Sequence, residues 1–218
     1  MDLEAPLEGW FTHLAWAIDL RLTGPFVRFS QKRAEHGREL ARLATELTAE
    51  GEVSTAHALE ITAIPPIDGG PRYDLALLVH ADEPLSDLLV ERAAALGLDQ
   101  PELALTARNA GRIGDTEDRG GEILLNHFAG EASSEEAVGA WTSVARWYAD
   151  KLGVDNSTLL EFTGDAPFLI MNYAVIPGKV VPFLANQLLR PSFYRTVRGQ
   201  LREVGITPFP LFARRLET

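Results

Sequence analysis

Apolar residues recur along this chain in two rhythms. In "SSEEAVGAWTSVARWYADKLG" (residues 133–153) they return every three or four positions, which predicts a helix with Val138, Trp141, Val144/Ala145, Tyr148 and Leu152 inside. Ser133 or Ser134 is placed to cap it, and Gly153 to end it. "FVRFSQKRAEHGRELARLATELTAEG" (26–51) has the same rhythm, with Leu40, Leu43 and Leu47 on one side and Gly51 past the end. "EPLSDLLVERAAALG" (83–97) is a third helix, and "KVVPFLANQLLRPSFYRTVRGQLREVG" (179–205) a fourth, interrupted at Pro191.

Between the helices the rhythm shortens. "HALEITAIPP" and "RYDLALLVHAD" read as a hairpin, as do "STLLEFTG" and "APFLIMNYAVIPG". "ELALTARNAGRI" and "EILLNHFAG" are strands on either side of the loop "GDTEDRGG", and "ITPFPLFARRL" is a closing extended segment. "GWFTHLAWAIDLRLTGP" fits both a helix and a strand, and periodicity leaves the choice open.

Residues 122–216 thus give strand, helix, strand, strand, helix, strand. Residues 26–108 give the same order if 10–22 supply a leading strand. This is the βαββαβ unit twice. Short echoes agree with it: "LEIT" (59–62) with "LEFT" (160–163), and "FTHLA" (11–15) with "LNHFA" (125–129). The predicted class is α+β: two tandem ferredoxin-like units, residues 1–110 and 121–218, with antiparallel sheets packed into one α/β barrel.

Such sheets carry helices on one face, so polar groups on the other face would meet in an internal cavity. Alternation assigns Leu169, Met171, Tyr173 and Val175 to the helices and Asn172 to the cavity. It assigns Tyr73, Leu75, Leu77 and Val79 to the helices and His80 inward or to the rim. Leu59/Ile61 and Leu160/Phe162 would then be core, with Glu60 and Glu161 on the cavity side. In "EILLNHFAG" the balance leans to His127 facing inward, with Asn126 as the alternative. His127 and His80 are the catalytic candidates, because an imidazole with a tuned pKa serves as a general base. Asn126, Asn172, Glu60 and Glu161 are the ligand-binding candidates. Each also has a plain structural reading, as a satisfied core, rim or edge residue.

Charge and composition narrow the classes. The net charge is −11, which disfavours nucleic acid, yet residues 178–218 carry seven Lys/Arg against two Glu. There are no cysteines, so thiolate metal sites, disulfides and a cysteine nucleophile are excluded. No run reaches the length of a membrane span, the opening residues do not read as a secretory signal, and a cytoplasmic location is expected. Phosphate-loop, dinucleotide, nucleophile-elbow and zinc-protease motifs are missing. Arg195, Arg198 and Arg202 line one predicted helix face as a solvated stripe or an anion site. "NST" at Asn156 matches a glycosylation acceptor, but nothing else points to secretion.

The doubled element order resembles the dimeric α/β-barrel superfamily, over roughly residues 26–216. The resemblance implies a fold shared by chlorite dismutase-like and dye-decolorising peroxidase-like haem proteins, cofactor-independent monooxygenases and many uncharacterised bacterial proteins. Haem-binding members place the proximal histidine on a late helix, and here no helix after residue 82 contains one. The expectation is therefore a small apolar ligand, acid–base or oxygen chemistry, and no cofactor, with a homodimer possible within the family. A non-catalytic partner or membrane-surface protein, using the basic C-terminal helix and Trp10, Phe11 and Trp16, is the alternative. A haem enzyme using His80 or His127 is the third reading.

Overall fold

Residues 10–16 form a strand. In this computed structural model, which describes residues 3–217, β1 (Trp10–Trp16) pairs antiparallel with β5 (Leu75–Ala81) and with β6 (Leu103–Ile113). The helical alternative for this segment is excluded by that register: Leu14 lies opposite Leu77 and Ala104. The next helix starts later than its rhythm predicts. Leu22–Thr23 (β2) and Phe26–Val27 (β3) fold back on each other around Gly24, whose φ of +57 suits glycine. Helix α1 (Gln31–Ala49) then begins at Ser30, whose hydroxyl accepts from the Arg33 N–H.

β4 (Thr55–Ala63), β5, α2 (Ser86–Ala95) and the first part of β6 follow. β7 (Glu122–Gly130), α3 (Ser134–Leu152), β8 (Ser157–Phe162), β9 (Ile170–Ile176), α4 (Val180–Leu188), α5 (Arg198–Glu203) and β10 (Ile206–Arg215) repeat the order. The break near Pro191 is present: the proline opens the second helical piece, where its missing N–H costs nothing, and a π-helical turn (Phe193–Val197) precedes α5.

The strands join in the order β10-β7-β9-β8-β6-β1-β5-β4-β3-β2, and β10 also pairs with β4. The hydrogen-bonded circuit of eight long strands is thereby closed, giving the α+β, doubly ferredoxin-like class. The chain divides into two compact units. One comprises Glu8–Arg108 with Leu211–Thr218, and the other Asn109–Pro210 with Met1–Leu7. Each unit therefore takes a short segment from the far end of the chain.

In the first unit, Leu14, Trp16, Leu75, Leu77 and Val79 meet Leu40, Leu43 and Leu47 of α1 and Leu89 of α2. Full burial of each such leucine contributes roughly 1.5–3 kcal/mol. In the second unit Trp141 of α3 is buried, and Gly111 is what admits it: a Cβ there would stand 3.1 Å from the indole.

Candidate functional site

Alternation along β1 fixes two faces in the first unit. Leu14 and Trp16 lie under the helices, so Phe11 and His13 project from the opposite face. His13 is 1% exposed. The Tyr73 hydroxyl is 3.4 Å from its Nε2, and the two rings meet edge-on at 5.8 Å. Burial lowers the His13 pKa to about 4, so the imidazole is neutral near pH 7. Burial pushes the Tyr73 hydroxyl far above the usual phenol range, so it stays protonated. Tyr73 was expected beside Leu75 under the helices. It precedes β5, in irregular backbone, and turns to His13 instead. His80 ends the same face of β5: it stacks on Phe11 at 4.4 Å, and its Nε2 lies 2.6 Å from the Glu8 carbonyl.

The second unit repeats the arrangement. Trp141 of α3 donates its indole N–H to Asn172 Oδ1 at 2.7 Å, and the Ser157 hydroxyl donates to the same oxygen. Asn172 therefore faces the helix. Asn126 is its direct partner in the β7–β9 ladder and shares that face. His127 and its partner Met171 project from the other face, both fully buried. The His127 ring lies 4.9 Å from Phe168 and is stacked against Phe162 at 6.4 Å.

Several expected positions are thus corrected. Asn172 is a clasp between β9 and α3, not a group on the face away from the helices. Met171 and Tyr173, expected under the helices, lie on that face. Glu60 is reversed too. It is opposite Leu75, on the α1 side, and its carboxylate is held by Arg33 at 3.0 Å and Arg214 at 2.6 Å. Leu59 and Ile61 take the other face. Glu161 lies opposite Ile170, two places from the Leu159–Asn172 pair, so it shares the helix side as well. The phase expected for β5 and for His127 of β7 is the one observed, while that of β4, β8 and β9 is inverted; at Glu60 a carboxylate under a helix is tolerated because two arginines reach it. Phe11 and Trp16 are 1% exposed, so they offer no partner surface, and the half-buried Trp10 lies under the Arg108 guanidinium. Asn156 is buried, exchanging two hydrogen bonds with the Val175 backbone, so it is no glycan acceptor in this fold.

The three histidines on the faces away from the helices are poorly placed as axial haem ligands. His13 and His127 sit on strands with their rings packed by aromatic side chains, and His80 is stacked and bonded to backbone. Among the described residues no three His, Asp or Glu side chains gather as a metal ion would need.

Neither a protein-family model nor a curated protein matches the sequence. Solved structures do match. A chlorite dismutase-like protein superposes with a TM-score of 0.55 at 12% identity, over 95% of this chain and 94% of the other. An anthrone oxidase-like protein gives 0.55 at 9%, over 95% and 90%. A monooxygenase-like protein from Lactobacillus acidophilus gives 0.52 at 10%, over 95% and 98%. Identities this low speak for fold alone. The chain shares the ferredoxin-like α+β barrel fold of these proteins.

Proposed function

We propose that this protein is an oxygenase-type enzyme for a small, flat, apolar substrate, working by acid–base chemistry without a resident cofactor. One observation carries the reading. Each half sets a buried histidine on its leading strand, on the face away from the helices, against aromatic rings: His13 with Tyr73, and His127 with Phe162 and Phe168. An aromatic wall binds a planar ligand, and an imidazole there accepts a proton as the substrate's C–H ionises. The resulting carbanion forms a C–O bond to dioxygen, the imidazolium returns its proton to the peroxide, and loss of water from the hydroperoxide leaves a ketone. His127 is the base in this reading. Phe168, in the loop between β8 and β9, covers the His127 ring, so this reading requires a substrate to displace it. The similarity to an anthrone oxidase-like protein makes anthrone the first probe. The lack of cysteines supports a cytoplasmic setting.

The test is oxygen uptake with anthrone on an electrode. Turnover by the wild type and a loss of about 100-fold or more in His127→Phe, with unchanged circular dichroism, are expected. No uptake and no thermal shift with anthrone or related phenols would sink the enzyme reading. A thermal shift without uptake would reduce it to ligand binding.

A further inference from the structure

Lys179 to Arg202 contains five basic residues and no acidic one, in a chain of net charge −11. The segment folds as α4, the π-turn and α5. It buries Val180, Phe183, Phe193, Val197 and Leu201. The opposite side of α4 is apolar: Val181 is 57% exposed, Leu188 49% and Leu189 82%. Tyr194, 45% exposed, continues it, and Arg195, Arg198 and Arg202 stand exposed beside it. The protein's ion pairs engage arginines elsewhere, such as Arg33, Arg92, Arg112 and Arg214. Among the described residues, Arg195, Arg198 and Arg202 meet no carboxylate. Arg198 instead lies over the Tyr194 ring.

We infer that this ridge is a docking surface for an anionic lipid bilayer. Two features point there together. Apolar side chains on a projecting helix end enter the acyl boundary, and unpaired arginines beside them meet anionic headgroups. A two-fold contact with a second copy is disfavoured, because it would set this all-basic face against itself. The surface uses none of the residues of the proposed reaction and does not depend on it.

The 218-residue protein is sedimented with vesicles of phosphatidylcholine alone or mixed with phosphatidylglycerol, at low salt. Binding only to the mixed vesicles, and its loss at high salt, are expected. Arg195→Ala with Arg198→Ala weakens the partition roughly five-fold per arginine. Leu188→Ser with Leu189→Ser weakens it about ten-fold or more. These positions are exposed, so the melting curve stays unchanged and confirms folding. Three results overturn the inference: no binding to mixed vesicles, equal binding to neutral ones, or indifference to both double variants. Self-association of the wild type that these variants abolish would assign the ridge to a protein contact instead.

Discussion

Glu60 shows how much one buried carboxylate demands. Both its oxygens are used, one by Arg33, itself 4% exposed, and the other by the largely exposed Arg214. The two partners are therefore not equivalent. Glu60→Gln leaves the Arg33 charge buried without its counterion and should cost about 3–5 kcal/mol in urea unfolding. Arg214→Ala removes a solvent-screened partner and should cost about 1 kcal/mol or less. Equal costs would mean that Arg33 is satisfied by the Arg28 carbonyl alone, to which it also donates. His13 makes a second residue-scale prediction. Its folded pKa of about 4 lies below the ordinary 6.5, so the unfolded chain binds the extra proton first as pH falls. Its contribution is whole above pH 6.5 and is lost progressively down to pH 4, at most about 3 kcal/mol. Urea midpoints at pH 7 and pH 5 should fall further apart in the wild type than in His13→Asn. His13 was missed as a candidate although "FTHLA" aligns it with His127. A histidine in an apolar strand carries no sign of its neighbour, and Tyr73 is 60 residues away.

At the scale of elements the rhythm was informative wherever local chemistry agreed with it. Helix α3 has its capping box, with the Ser133 hydroxyl accepting from the Glu136 N–H and the Glu136 carboxylate accepting from the Ser133 N–H. It ends at Gly153 in the left-handed conformation. Ser133→Ala should lower stability by about 1 kcal/mol, read from thermal unfolding. Where the phase of a strand mattered, sequence was a poorer guide. β4, β8 and β9 carry apolar residues on both faces, and one polar residue does not say which face has a partner. Asn172 could be placed only once Trp141 was known to reach it. The π-turn had no legible signal beyond spacing. Phe193, Val197 and Leu201 recur every four residues, which a regular helix would rotate by about 40° per step. A wider turn in that series keeps all three buried.

At the scale of the whole molecule the βαββαβ order occurs twice, and the class was readable from that order even though the sequence echoes are only four or five residues long. What could not be read was how the halves share strands. β10 begins beside β7 and ends beside β4, where Phe212 lies opposite Ala63 and Arg215 opposite Leu59. The tail of the chain thus completes the sheet of the other half, and Arg214 brings with it one of the two cations that hold Glu60.

That exchange has a practical consequence for cutting the gene. A fragment ending in the loop at Gly120 keeps β4 but loses the strand that covers it, leaving an open edge of the kind that aggregates. Expressed alone, such a fragment should be insoluble. Expressed together with residues 121–218, it should be rescued, since the second piece carries the missing strand. The loop is then a natural split point for a complementation pair, in which recovered solubility reports that two polypeptides have met.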